Sequence, residues 1–385
     1  MSTFDSTHAA PVPSPRPGEG RTVLVAMSGG VDSSIGAALL AEAGWDVIGV
    51  TLKLWCYGES DDTATPRSCC SLEAIADARS VALHMGFPHH VLDESAAFRE
   101  RVVAPFVRDY LAGETPYPCA QCNTHLKFGT LFAHARKAGA DFLATGHYAR
   151  IAPAPRDSGE EPALWRSVHD GKDQTYALWG IARETLARLK FPLGGLTKDE
   201  VRAHGERLGL TRVAHKVESQ DLCFVPDGDY AGFVAREAGL AAVDRPGAMV
   251  DGEGRVVGEH RGLTNYTVGQ RKGIGLAAPD PLYVIALEPK ANTVRVGRES
   301  ELLASEVSFV DFNWLSADAP PPGRAVLAQI RYRHRPAPAT LHLADGGRGR
   351  LSFDTPQRAI TPGQSVVFYD GDRLLGGARI ARPRA

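Results

Sequence analysis

Ala26-Met27-Ser28-Gly29-Gly30-Val31-Asp32-Ser33-Ser34 decides how this chain folds. Arg21 to Met27 (RTVLVAM) leads into it, a short apolar run rich in β-branched residues that reads as a buried strand. IGAALLAEAG follows, helical in character and ending on a glycine. A glycine pair between a strand and a helix lies where open α/β sheets bind ligands. Gly29 and Gly30 allow close backbone approach and unusual φ values. Ser28, Ser33 and the first helical N–H groups can donate to phosphate oxygens, and the helix dipole favours an anion there. No lysine follows the glycines, so this is not the GxxxxGK[ST] loop that cradles a transferred γ-phosphate.

Working outward, strands alternate with helices. WDVIGVTLKL is a second strand, Ser71 to Gly86 a helix, FPHHVLD a third strand and Ser95 to Leu111 another helix. Leu126 to Gly139 reads as helical and ADFLATGHYAR as a fourth strand. This alternation implies a parallel sheet with helices on both faces, a Rossmann-like α/β domain. It is expected over 21–224, after a disordered leader over 1–20 rich in Pro, Ser and Gly and without the apolar core of a signal peptide. Residues 225–300 read as a small Gly-rich central domain. Residues 301–385 hold only short β-branched runs between turns, which predicts a C-terminal all-β barrel-like domain. PAPRDSGEEP (153–162) reads as a hairpin tip or loop insertion.

Composition narrows the functional classes. The chain has 385 residues, 43% apolar and 23% charged, which is ordinary globular composition for two or three domains. Lys+Arg is 43 and Asp+Glu is 45, which excludes a globally basic nucleic-acid binder but leaves room for a local basic patch. One such stripe is Arg324, Arg331, Arg333, Arg335, Arg348 and Arg350 against Asp345 alone, although alone it reads as a solvated barrel face. No apolar run approaches the roughly 20 residues of a membrane span. Six cysteines in so long a chain do not make a disulfide scaffold, and a cytoplasmic enzyme is expected.

The thiols suggest chemistry. Cys119 and Cys122 lie in TPYPCAQCNTHLKFG, a Pro-rich loop expected to run into a helix. Cys122 is thereby expected near a helix N-terminus, where a thiol pKa falls, with Lys127 adding to the effect. Cys223 follows a polar stretch expected to open. Two separated thiols suit sulfur transfer, one carrying a persulfide while the other attacks. A zinc site on Cys69, Cys70, Cys119 and Cys122 is disfavoured because adjacent cysteines are poor co-ligands. An iron–sulfur cluster using Cys122, Cys223 and a third ligand is an alternative, less favoured.

SGGVDS resembles the pyrophosphate loop of N-type ATP pyrophosphatases (the PP-loop superfamily), which transfer AMP to a substrate oxygen. Read with CNxxxKFG, ATGHYAR, GKDQTY, KVESQDLCFV, GEHRGLTNYTVGQRKGIG and RYRH, the chain from Arg21 onward resembles the bacterial tRNA-specific 2-thiouridylase (MnmA) family. The resemblance implies ATP-dependent adenylation of O2 of the wobble uridine, then sulfur transfer from a cysteine persulfide. It implies tRNAs of the Lys, Glu and Gln type as substrates, and a sulfur-relay protein or cysteine desulfurase as sulfur source. Position by position, it places ATP on Ala26, Met27, Ser28, Gly29, Gly30, Val31, Asp32, Ser33, Leu52 and Gly146. It makes Cys122 the nucleophile and Cys223 the persulfide carrier, joined transiently as a disulfide. Tyr117, Pro118 and Cys119 match the loop that meets the target base. His147, Lys172, Asp173, Gln174, Arg331, Tyr332 and Gln364 match tRNA contacts. Many members carry Asp where this chain has Cys119, which leaves that thiol open as a spare thiol, a redox partner of Cys122 or a cluster ligand, and weakens a cluster model that needs the Asp. Magnesium is expected with the nucleotide, and Asp32 suits either a metal ligand or a residue that orients the loop.

Two rival readings keep the loop but change the chemistry. A small-molecule ATP pyrophosphatase would not need paired cysteines. A non-catalytic RNA-binding protein with a relic nucleotide fold would not keep SGGVDS intact.

Overall fold

A computed structural model describes residues 18–55, 72–156, 159–217, 222–239 and 245–382. The first sheet takes β1 (Thr22–Ala26), β2 (Asp46–Lys53), β3 (His89–Asp93) and β4 (Phe142–Thr145). A hairpin of β5 (Ala149–Arg156) and β6 (Gly159–Arg166) then leaves the sheet, and β7 (Leu189–Lys190) returns to it. The strands run β3-β2-β1-β4-β7, all parallel. Side chains alternate along β1. Val23 and Val25 pack with Ile35, Ala38, Ala78 and Val81 of the helices Val31–Glu42 and Leu72–Met85. Leu24 joins Phe98, Val102, Leu126 and Leu131 on the opposite face. Both faces are covered, as a parallel sheet requires.

β8 (Gly247–Val250), β9 (Val256–His260), β10 (Tyr283–Glu288) and β11 (Thr293–Gly297) form a second sheet around Met249, Val284, Val294 and Val296. The last six strands are β12 (Leu303–Trp314), β13 (Arg324–Gln329), β14 (Ala337–Ala344), β15 (Arg348–Arg358), β16 (Ser365–Asp370) and β17 (Arg373–Ile380). They pair antiparallel in the order β12-β15-β14-β13-β16-β17, and β17 pairs back on β12 to close a barrel. Closure leaves no long free edge.

Three expectations change, and one of two open readings is chosen. ADFLATGHYAR is not one strand: β4 ends at Thr145, and after Gly146-His147-Tyr148 the chain enters β5 in another sheet. Of the two readings of 153–162, the hairpin tip is the one found: its described residues form the distal part of a hairpin whose β6 adds to β17, Trp165 opposite Arg373. Glu161 fixes that junction, accepting from Arg373 Nη2 at 2.6 Å, Ser316 Oγ at 2.6 Å and the Ala317 N–H at 2.8 Å. The helix expected from Leu126 begins at Pro118 instead, with a π-helical stretch Cys122–Thr130 in its middle. Of the expected leader, residues 1–17 lie outside the described residues, whereas Gly18 is packed on Trp45 and donates its N–H to Ala43 O at 3.2 Å.

Candidate active site

β1 lies between β2 and β4, so the strand order reverses across β1 and β4, where ligands enter an open α/β sheet. Both motifs expected at the nucleotide lie at those strand ends. Met27 is tied to β2 by its N–H to Val50 O (2.8 Å) and by Thr51 Oγ1 donating to its carbonyl (2.8 Å). Gly29 has φ +69°, and a Cβ there would stand 2.0 Å from Ala74 O, so only glycine fits. Gly30 differs. It is the N-cap of the helix Val31–Glu42, with φ −87° and ψ 169°. A Cβ there would meet only Ser28 Oγ, at 3.5 Å. The space over Gly30 and the unpaired first N–H groups of that helix make an anion cradle. Ser28 and Ser33 frame it, their hydroxyls 3.1 Å apart. Gly146 approaches from β4 so closely that a Cβ would be 2.6 Å from Ser33 N. Leu52 is buried in the core at the end of β2.

Three residues that sequence reasoning missed reach this loop from far along the chain. Lys198 Nζ and Tyr148 Oη both donate to Asp32 Oδ1, at 2.7 and 2.8 Å. Lys216 Nζ donates to Gly29 O at 3.3 Å and to Asp77 Oδ2 at 2.6 Å. Asp77 is itself buried and also pairs with Arg212 at 2.8 Å. Lysines absent from the loop's own sequence thus reach it through tertiary structure. The one sequence signal nearby is the Thr197/Glu200 capping box, which starts the helix Lys198–Arg207 and aims nothing by itself. Among the described residues no group of three or more His, Cys, Asp or Glu side chains is placed to hold a metal ion. With its Oδ1 engaged twice, Asp32 fits the loop-orienting role, and these residues build no magnesium site of their own. Magnesium bound with a nucleotide is held mainly by phosphates and water.

The loop opens on a cleft of about 1400 Å³. Its lining includes the 332–336 segment of the barrel domain and Lys172, Asp173 and Gln174. Arg333 and Arg335 line this cleft, whereas Arg324 pairs with Asp370 (2.7 Å) and Arg350 with Glu306 (3.2 Å) on the surface. The arginine stripe is therefore divided. Tyr332 is exposed in the cleft, and its ring lies 6.2 Å from Tyr176, which in turn lies 5.1 Å from Tyr117. Burial raises the Tyr332 pKa, with Asp173 and Cys119 acting the same way and Lys172 and Arg333 opposing.

Other expected contacts are engaged by hydrogen bonds within the protein. Asp173 is buried, accepting from Thr175 Oγ1 (2.6 Å), Ser167 N (3.0 Å) and Arg166 Nη1 (3.2 Å). Gln174 Oε1 accepts from Tyr148 N at 2.9 Å. Arg331 donates to Arg358 O at 2.9 Å. Gln364 donates to the carbonyls of Thr115 (2.8 Å) and Pro116 (3.4 Å), holding the loop that leads to Tyr117. His147 is buried beside Phe128 and Phe191, with Nδ1 2.7 Å from Thr145 Oγ1. Burial, with Lys127 nearby, holds its pKa well below the usual imidazole range.

The thiols depart from expectation in placement. Because the helix starts at Pro118, Cys119 occupies its first turn and Cys122 lies a turn further in, buried. The first-turn thiol is not activated: burial and the neighbouring Cys122 push Cys119 up to about 11, against the pull of Lys127. Cys223 is half-buried and packs against the same apolar cluster as Cys122. Phe224 after it is clamped among Trp55, Phe98, Phe106 and Phe233. Residues 218–221 before it, and Cys56, Cys69 and Cys70, lie outside the described residues. None of the three described cysteines lines the cleft.

A parallel sheet with a glycine loop at its switch point and a cleft beyond it is the architecture of an α/β nucleotide-binding protein. Three family models match in series: a "tRNA methyl transferase HUP domain" over 21–227, a "tRNA methyl transferase PRC-barrel domain" over 239–298 and an "Aminomethyltransferase beta-barrel domain" over 304–380. Full-length relatives carry the name tRNA-specific 2-thiouridylase MnmA. The one from Acidithiobacillus ferrooxidans is 47% identical over 94% of this chain and 98% of its own. That from Moorella thermoacetica is 49% identical over 93% of this chain and 98% of its own. The chain belongs to the MnmA family of tRNA-specific 2-thiouridylases.

Proposed function

We propose that this chain binds ATP at the Gly29–Gly30 cradle and uses it to thiolate C2 of the wobble uridine of tRNA, in the cytoplasm. Membership of the family along 94% of the chain, with the cradle open to the cleft, carries this reading. The uridine O2 attacks the α-phosphorus, the bond to the bridging oxygen breaks, and pyrophosphate leaves at the cradle. Backbone N–H groups at the start of the helix Val31–Glu42 receive the anion. Lys198 holds Asp32 so that its carboxylate does not turn toward the phosphates, and Lys216 adds positive charge at the loop. The role of Arg333 and Arg335 is to hold backbone phosphates, while the base leaves its stack to enter the protein.

Sulfur arrives on Cys223 as a persulfide from a sulfur-relay protein or a cysteine desulfurase. The Cys122 thiolate attacks the inner sulfur of that persulfide. A Cys122–Cys223 disulfide forms, and the terminal sulfur leaves as hydrosulfide, two thiol sulfurs being oxidised as it is reduced. Hydrosulfide attacks C2, and AMP departs with the former O2. A dithiol reductant then resets the cysteines. The substrates are tRNAs of the Lys, Glu and Gln type. An iron–sulfur cluster on these thiols remains the alternative, separable by its chromophore. Single-turnover thiolation with labelled persulfide tests the scheme. Cys122→Ser and Cys223→Ser should each abolish thiolation yet keep tRNA-dependent pyrophosphate release. Full activity of Cys223→Ser, or label on Cys119, overturns the cysteine roles. Absence of tRNA-dependent pyrophosphate release in the unaltered protein overturns the whole reading.

A further inference from the structure

Asn123 follows Cys122 on the π-helical stretch and is 2% exposed. Its Nδ2 donates to Ala177 O at 3.0 Å. A carbonyl only accepts, so this bond fixes which end of the amide is nitrogen and which is oxygen. The other end, Oδ1, is buried with no hydrogen-bond partner. A buried acceptor left without a donor costs on the order of 1–3 kcal/mol. Such a group calls for an explanation, and a donor brought by a bound substrate is one. Ala177 belongs to the turn Thr175–Ala177, whose Tyr176 ring lies against Tyr117. The unfilled acceptor is thus one residue from the proposed nucleophile and tethered to the aromatic pair at the target-base loop.

We propose that Asn123 Oδ1 accepts the N3–H of the target uracil and so sets the preference of the site for uridine. The proposal rests on the thiouridylase reading and adds a residue to it. Cytosine presents a bare N3 lone pair at that position, so it would leave two acceptors facing each other without a proton. The same bond also assists the chemistry. When O2 attacks the α-phosphorus and pyrophosphate leaves, the O2-adenylated ring with N3–H retained is cationic. The N3–H then becomes a stronger donor, and an acceptor held against it stabilises that state more than the neutral base. Keeping the proton on N3 keeps C2 electrophilic until hydrosulfide adds and AMP leaves. No oxidant or reductant enters this step.

The test uses the full chain and anticodon stem-loops differing at position 34. One carries uridine, and one carries 3-deazauridine, in which a C–H replaces the N3–H. Competition binding reads recognition without requiring turnover. The unaltered protein should bind the uridine stem-loop at least about tenfold tighter, the lower range expected for one satisfied buried bond. Asn123→Ala should lose that difference, with the two stem-loops within about twofold, while its binding of ATP is unchanged. Asn123→Ser, which keeps a small acceptor, should recover part of the discrimination. Equal binding of both stem-loops by the unaltered protein overturns the proposal without any variant, so a variant that misfolds does not rescue it. Retained discrimination in a folded Asn123→Ala protein overturns it as well. If the unaltered protein binds neither stem-loop, or thiolates no tRNA, the failure belongs to the thiouridylase reading.

Discussion

Gly29 and Gly30 are adjacent and chemically identical, yet they answer to different demands. Gly29 is required by the fold: its φ is +69° and Ala74 O fills the place of a side chain. Gly30 is not required by the fold, since its backbone angles suit any residue and its Cβ position is open, and it is the proposed ATP site that asks for a glycine there. Gly29→Ala should therefore destabilise the protein by a few kcal/mol, about 1–3 for such backbone strain alone. Gly30→Val should melt within a few degrees of the unaltered protein but lose ATP affinity by roughly a hundredfold or more, because its methyls occupy the phosphate space. Thermal melts and calorimetric ATP titration separate the two. Unimpaired ATP binding by Gly30→Val would remove the cradle from this loop. Cys119 offers a second residue-scale check. With its pKa raised to about 11, the thiolate fraction near pH 8 is on the order of one in a thousand. Alkylation of Cys119 should be slow at pH 8 and climb about tenfold per pH unit as the pH rises toward that value. Rapid, pH-independent labelling would show that the thiol is activated after all.

Among the elements, the turn 361–364 of the barrel and the loop 115–117 form the link between the last domain and the thiol-bearing helix. Gln364 donates to Thr115 O and Pro116 O, Thr115 N donates to Pro362 O, and Gly363 has a φ of +90° with no room for a side chain beside Glu114. Gln364→Ala should free this loop and speed Cys119 alkylation several-fold at fixed pH, leaving the melting temperature within a few degrees. Unchanged alkylation would mean that Thr115 and Gly363 hold the loop alone. None of this link is visible in the sequence, since it joins residues about 250 positions apart. The elements themselves were largely legible: β1, the helix Val31–Glu42, β2, β3 and the six barrel strands fall on the expected runs. The failures have local causes. In ADFLATGHYAR the single Gly146 is the one turn residue, too weak a break to mark where the chain passes from one sheet to another at Gly146–Tyr148. Pro118 is a first-turn proline, favourable at a helix start. Reading it as loop material displaced the helix N-terminus from Cys119 to Cys122. Lys198 and Lys216 reach the loop from positions 166 and 187 residues away, and charge at such separations leaves no pattern in the chain.

For the whole molecule, the cleft matters because it is walled by two domains that the hairpin β5–β6 makes inseparable. Deleting residues 301–385 would strip β6 of β17 and leave Glu161 without Arg373, so it would confound binding with folding. Point changes on the barrel wall avoid this. Arg333 and Arg335 line the cleft, while Arg324 and Arg350 lie in exposed ion pairs with Asp370 and Glu306. Exposed pairs contribute about 0–1 kcal/mol to stability, so both double variants should fold. Replacing Arg333 and Arg335 by alanine should weaken tRNA binding and flatten its dependence on salt. Each lost phosphate contact lowers the slope of log affinity against log salt by roughly 0.7–0.9, so two should remove about 1.5. ATP affinity should hold, because the cradle belongs to the first domain. Arg324→Ala with Arg350→Ala should change neither affinity nor slope appreciably. Filter binding of tRNA across a salt series distinguishes these outcomes. If the two double variants behave alike, the cleft is not where the tRNA backbone lies. If only the first pair matters, the glycine loop and the barrel arginines serve the two substrates, ATP and tRNA, within one cleft. The nearly neutral chain would then concentrate its positive charge on the surface that uses it.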